Sequence, residues 1–247
     1  MKKQSKKSAK SQGEEKRKTS EYDYECEICR DTGWVRSADD LPVTHPEFGK
    51  VTRCICKAQE DAEHLQDVSK MTDVERTYSI SDLVARGQGS KEMLEAGEIF
   101  LNEPTGILTI YGGTGNAKTL LLQAVVNHLL KDQHKRAVYV TMFDLMGYIR
   151  SAFDEDDASA IARLDKYRTT PVLAIDEFDK IKTTDWVLSQ VTSLIDRRHR
   201  DGIAGKAGTL IAMNADIESM PDWIYSRLTD GRNKIIHNTD PDMRSKL

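Results

Sequence analysis

A doubly wound α/β domain with a parallel five-stranded sheet, preceded by a small cysteine-bearing module, is the architecture that this 247-residue sequence predicts. Three observations carry it. Five runs rich in β-formers, at 106–111, 136–141, 171–176, 209–213 and 234–237, are separated by segments of helix length. Parallel strands need crossovers of that size. The first run leads directly into a glycine-rich loop, and all four cysteines fall between positions 26 and 56, with none in the 191 residues beyond.

The elements follow in chain order. Residues 1–20 hold eight Lys or Arg against two Glu, so this stretch carries +6 and the remainder of a chain of net charge −4 carries −10. With almost nothing apolar in it, it reads as a disordered basic tail, either an arm for nucleic acid or a solubilising segment. Residues 21–57 form the cysteine module and 58–104 a polar linker, within which 57–71 has the composition of an exposed helix. The core spans 105–247. In it, 120–130 reads as a helix, as do 143–153 and 185–200, the last with Trp186, Val187, Val191, Leu194 and Ile195 turned to the core. The run at 171–176 is apolar throughout, as a strand covered on both faces of a parallel sheet should be. No apolar run approaches the roughly 18 residues of a membrane span. No apolar leader opens the sequence, so a cytoplasmic location is expected.

Gly112, Gly113, Thr114, Gly115, Asn116, Ala117, Lys118 and Thr119 lie between a predicted strand and a predicted helix. This is the context of a phosphate-binding loop. Small residues let successive backbone N–H groups curl around phosphate oxygens, the helix N-terminus adds positive potential, Lys118 reaches the β/γ-phosphates and Thr119 ligates Mg²⁺. Ala117 stands where the general pattern has glycine, a substitution expected to be sterically mild. Beyond Lys118 by 58 residues, the run 172–176 ends in Asp176 and Glu177. Asp176 is placed to hold Mg²⁺ through water and Glu177 to polarise an attacking water. Asn214 directly follows the run 209–213; if that strand lies beside the acid-bearing one, Asn214 faces the γ-phosphate or the lytic water.

Cys26 and Cys29, then Cys54 and Cys56, supply four thiolates in two close pairs, which match a tetrahedral structural zinc site. The second pair has one intervening residue instead of the common two. A redox dithiol pair and an iron–sulfur cluster are the alternatives, and His45 is a substitute ligand should one thiol lie too far away. Tyr22, Tyr24 and Trp34 with Arg30, Arg36 and Arg53 give the module aromatic and basic groups suited to single-stranded DNA; a protein-docking surface fits equally.

The order of the phosphate loop, the acidic pair and Asn214 resembles that of the AAA+ ATPases. Ser226, Arg227 and Leu228 resemble the arginine-finger box of the initiator and helicase-loader clade. The segments 175–181 and 194–198 are similar to DnaC/DnaI-type loaders of the replicative helicase. The resemblance covers roughly residues 75–247, and paired cysteines recur at the front of some loaders. It implies ATP and Mg²⁺ as ligands and Zn²⁺ in the module. Arg227 is then the finger acting in trans, with Arg198 and Arg232 as rivals. It further implies assembly into a ring or spiral, weak ATP hydrolysis by the isolated chain, and a hexameric replicative helicase and single-stranded DNA as partners, with no membrane. About ten residues follow the last predicted strand, which leaves no room for a full helical lid. In related loaders the neighbourhood of Met142, Phe143 and Tyr148 faces a central channel; Phe143 is read here as core. Two other functions stay open: a transposition helper ATPase on duplex DNA, and a non-hydrolysing nucleotide-dependent adaptor, which Ala117 keeps in play.

Overall fold

The computed structural model describes residues 24–36, 42, 44, 45, 48–57, 69–153, 157–180 and 184–244. The basic tail 1–20, Tyr22 and most of the helix expected at 57–71 lie outside the described residues. The chain divides into a small N-terminal unit and a large one that holds the main sheet.

In the N-terminal module, β1 (Trp34–Arg36) and β2 (Val51–Arg53) form a two-stranded sheet. The turn before β1 needs unusual backbone: Arg30, Asp31 and Gly33 have φ of 51°, 63° and 76°. Asp31 stabilises it by accepting from the backbone N–H of Cys26 at 2.9 Å, and the Arg30 N–H donates to the Cys26 carbonyl at 2.8 Å.

The large unit begins with two short 3-10 turns, Glu75–Thr77 and Ile80–Asp82, and then α1 (Gln88–Asn102). α1 lies within the stretch read as linker, yet it buries Met93, Ala96, Phe100 and Leu101 in the common core. Its N-terminal amides are satisfied from the far end of the chain, since the Asp240 carboxylate accepts from Gly89 N–H at 3.2 Å and Ser90 N–H at 2.7 Å. That hydrogen bonding, Ser90 foremost, holds the Asp240 carboxyl below the usual carboxylate range.

There follow β3 (Gly106–Gly112), α2 (Lys118–Lys131), β4 (Ala137–Thr141), α3 (Met142–Phe153), α4 (Asp157–Thr169), β5 (Val172–Asp176), α5 (Asp185–Ile203), β6 (Gly208–Met213), α6 (Asp222–Leu228) and β7 (Lys234–Asn238). The sheet has the order β4-β5-β6-β3-β7, and every neighbouring pair is parallel. All residues of β5 and β6 are buried, as continuous apolar strands under helices on both faces should be. In parallel α/β sheets, ligands sit at the carboxyl ends of the strands, near the point where the order reverses. Here that is the edge where β3, β5 and β6 end. The five strands match the five predicted runs to within about a residue. α4 was not anticipated.

Arg198 of α5 is fully buried. Its guanidinium donates to Thr209 Oγ1 at 2.9 Å, to the carbonyls of Tyr167 and Arg168 at 3.4 Å and of Pro171 at 3.3 Å, and to those of Thr170 and Gly208. It caps the carbonyls at the end of α4, where a cation also meets the negative end of the helix dipole. Burial pulls its pKa down to about 10. Arg198 is therefore spent inside the fold and is no rival to Arg227. Phe143, read as core, is also corrected: it is 77% exposed, while its neighbour Met142 is the residue that turns inward. Trp186 is only half-buried, packed on the edge of the core.

Candidate functional site

The loop between β3 and α2 turns on two glycines with positive φ. Gly112 has φ 139°, and a Cβ there would lie 2.0 Å from the Asn238 carbonyl oxygen. Gly115 has φ 71°, and a Cβ would lie 1.8 Å from Asp242 Oδ1. The loop is tied to the end of β7 by a reciprocal amide pair: Asn116 Nδ2 donates to the Asn238 carbonyl at 3.0 Å, and Asn238 Nδ2 to the Asn116 carbonyl at 3.1 Å. Met243 N–H donates to the Gly115 carbonyl at 2.9 Å, so residues beyond β7 pack over the loop.

Ala117 caps α2 in the left-handed region, φ 67° and ψ 15°. The expectation of a mild substitution at the first helical turn is thus corrected: the methyl sits at a conformation that costs an L-residue roughly 1–2 kcal/mol. Lys118, next along, is buried, and its Nζ donates to the carbonyls of Gly112 at 2.9 Å and Gly113 at 2.6 Å and to Asn116 Oδ1 at 2.8 Å. Burial lowers the pKa of this amine, against the opposing pull of Asp176 and Asp179. Gly113, Thr114 and Thr119 are exposed on the same loop.

Asp176 ends β5 and is buried. Both of its oxygens are engaged: Oδ1 accepts from Glu177 N–H at 2.8 Å, Oδ2 from the Tyr139 hydroxyl at 2.9 Å. Glu177 has φ 52°, a strained conformation costing about 1–3 kcal/mol that the surroundings must enforce. They do so through Phe178 N–H, bonded to the Ala212 carbonyl at 3.0 Å, and Asp179, whose carboxylate accepts from the backbone of Asn214 at 3.2 Å and Ala215 at 3.1 Å. The Glu177 side chain is ion-paired with Lys180. β6 does lie beside β5, so Asn214, exposed at its end, stands next to the acidic pair. Lys118, Asp176, Glu177 and Asn214 thus come to one edge of the sheet. Arg227, on α6, pairs instead with Asp196 of α5 at 2.8 Å and is partly exposed. Arg232 is paired with Asp230 at 2.6 Å. Tyr139 and Asn238 went unmentioned in the sequence reading; the period-two placement of Tyr139 in β4 was the signal available for the first.

In the module, the sulfurs of Cys26, Cys29, Cys54 and Cys56 all lie within 4.8 Å of one another. Gly33 N–H points at Cys29 Sγ at 3.3 Å, a donor suited to a thiolate. Four soft ligands at this spacing, two of them buried, fit a tetrahedral metal ion. Among the described residues His45 does not join the cluster.

The sheet order, the loop and the acidic strand end define the large unit as an α/β domain of the AAA+ fold. Residues 87–200, somewhat less than half of the chain, match the family model of the bacterial DnaA ATPase domain. The chromosomal replication initiator protein DnaA of Neisseria gonorrhoeae is 27% identical over 82% of this chain, and the chain spans 39% of that relative's length. The replication initiator DnaA bound to AMPPCP and single-stranded DNA aligns with TM-score 0.58 at 16% identity, over 66% of this chain and 50% of that one. The DnaC helicase loader aligns with TM-score 0.55 at 18% identity, over 68% of this chain and all of that one, 100%. Among the described residues, no helix is long and apolar enough to cross a membrane.

Proposed function

We propose that this chain is an ATP-hydrolysing loader that places a replicative hexameric helicase on single-stranded DNA. The observation that carries the reading is the meeting of a phosphate loop bearing Lys118 with the Asp176–Glu177 strand end at one sheet edge, where the lysine feels Asp176 electrostatically. The alignment that takes in the whole of the DnaC helicase loader chain supports the loader reading over the initiator, of which this chain spans less than half.

The backbone N–H groups of 113–119 would receive the phosphates, with Lys118 on the β/γ oxygens. Thr119 and Asp176 would hold Mg²⁺, which neutralises charge as the terminal phosphate leaves. Glu177, once parted from Lys180, would orient the attacking water and take its proton, and Asn214 would fix that water or the γ-phosphate. Arg227 would leave Asp196 to reach a neighbouring subunit's γ-phosphate in a ring or spiral, an arginine worth roughly 10³–10⁵ in rate where such fingers operate. Cys26, Cys29, Cys54 and Cys56 would bind Zn²⁺ as a structural ion. Exposed Tyr24, Trp34, Arg30 and Arg36 in the module, and Phe143 beside the core's sheet edge, offer stacking and charge for single-stranded DNA.

The test mixes the protein with a replicative helicase, ATP and single-stranded DNA, and follows complex formation and phosphate release, with Lys118→Ala and Arg227→Ala alongside. A helicase complex whose turnover both variants abolish supports the proposal. Bound ATP with no complex removes the loader role, and a complex with no turnover points to a non-hydrolysing adaptor.

A further inference from the structure

The buried side chains around Asp176 form a line that leads away from the phosphate loop. Tyr139 sits on β4, two residues before the register partner of Asp176, so both side chains fall on the same face of the sheet. Its hydroxyl donates to Asp176 Oδ2 at 2.9 Å, and the side chain of Gln123 lies beside the phenol. Gln123 Nε2 also donates to Glu75 Oε1 at 2.9 Å. Tyr139, Gln123 and Asp176 are all buried. Glu75 belongs to the connector that precedes α1, and its other oxygen accepts from Thr72 N–H at 2.7 Å and Thr72 Oγ1 at 2.8 Å.

The same face of α2 grips the connector's backbone. Asn127, one turn on from Gln123, donates to the carbonyls of Glu75 at 2.8 Å and Tyr78 at 2.9 Å, and Lys131 to that of Arg76 at 2.5 Å. Positions i, i+4 and i+8 of the helix that begins with Lys118 therefore hold residues 75–78 in place. Burial beside Asp176 pushes the Tyr139 phenol far up, so it remains a donor. Burial alone would raise Glu75, but hydrogen bonds from Thr72 and Gln123 outweigh it and hold the carboxyl below its ordinary range.

We infer that Tyr139 is a positioning residue that fixes the metal-binding carboxylate of Asp176, and that the line Glu75–Gln123–Tyr139–Asp176 couples the seating of the connector to metal–nucleotide binding. The inference rests on the proposed nucleotide site. The Tyr139 hydroxyl holds one oxygen of the Asp176 carboxylate and the Glu177 N–H the other, so the two together fix how the carboxylate is turned. Outer partners of metal ligands of this kind change metal affinity by about 10- to 100-fold when removed. Coupling of this kind is reciprocal: if the connector's position biases the carboxylate, metal–nucleotide binding tightens the connector.

The experiment titrates Mg²⁺ into the full chain with a fluorescent ATP analogue and reads the nucleotide's affinity and the Mg²⁺ midpoint. Tyr139→Phe keeps the ring and is expected to leave affinity in EDTA unchanged while moving the Mg²⁺ midpoint up about tenfold. Glu75→Ala is expected to move it the same way by less, Glu75→Gln to restore it, and the double variant Glu75→Ala with Tyr139→Phe to be no worse than Tyr139→Phe alone. Hydrogen exchange at amides 75–78 should slow on adding Mg²⁺ and nucleotide, and no longer do so in Tyr139→Phe. A wild-type midpoint in Tyr139→Phe, beside a normal Mg²⁺ response of the unaltered chain, overturns the inference alone. If the unaltered chain shows no Mg²⁺-dependent nucleotide binding, the proposed function falls with it.

Discussion

Replacing Arg198 by alanine tests the reading of this residue as an internal staple. The guanidinium serves Thr209 Oγ1 and the carbonyls of five residues, and among the described residues no carboxylate is bonded to it. Truncation removes the donors from buried acceptors at the end of α4 and the start of β5 and β6. Some of those acceptors keep another partner: the Pro171 carbonyl also accepts from Gly208 N–H at 2.9 Å. Each acceptor left without one costs about 1–3 kcal/mol. The cavity left by the side chain adds to this, and relief of the guanidinium's own desolvation subtracts. The net expectation is a loss of about 3–5 kcal/mol, within the range for breaking a buried charged network. For a domain of this size that is a fall in Tm of roughly 10–15 °C. Urea and thermal unfolding followed by circular dichroism measure it, with nucleotide affinity at low temperature as the control, because these groups lie at the opposite end of the strands from the phosphate loop. A loss under 1 kcal/mol, or normal stability with abolished turnover, would refute the staple and return Arg198 to the list of finger arginines.

Three further outcomes are expected. Ala117→Gly relieves a left-handed strain of roughly 1–2 kcal/mol and gives back about 0.4–1 kcal/mol through the freer unfolded chain. The melting temperature should therefore rise by about 1–2 °C, and a fall would show that methyl packing dominates. Metal analysis should find zinc that Cys29→Ser or a strong chelator removes, with loss of ordered structure confined to the module and nucleotide binding retained. For Asp240, the folded pKa lies below the unfolded one, so the unfolded chain binds more protons in acid. Its contribution is complete above the ordinary carboxylate value and fades as pH falls through the folded value. Asp240→Asn should accordingly lower stability at neutral pH and flatten its acid-side decline in urea titrations.

Much of the site could be read from the chain because its determinants are contiguous. The phosphate loop is eight consecutive residues, and Asp176 and Glu177 announce themselves at the end of an apolar run. Contacts that depend on which strands become neighbours were not legible. Tyr139 meets Asp176 only because β4 pairs with β5, and Asn116 meets Asn238 only because β7 closes on β3. α1 escaped notice because its apolar residues are diluted by Gly, Ser and Glu, and its N-terminal cap comes from Asp240, 150 residues away from Ser90. Phe143 was misjudged because, at the first turn of α3, the inward direction belongs to Met142.

The lysine of the phosphate loop has all three of its hydrogens engaged, on Gly112, Gly113 and Asn116. On the proposed reading, a phosphate would gain this amine only by displacing at least one of them, so capture of nucleotide would be an exchange, bond for bond. The enthalpy released on binding would then be smaller than the new contacts suggest. Asn116 is held in turn by Asn238, so one of the partners the amine would have to leave is itself fixed to the end of β7.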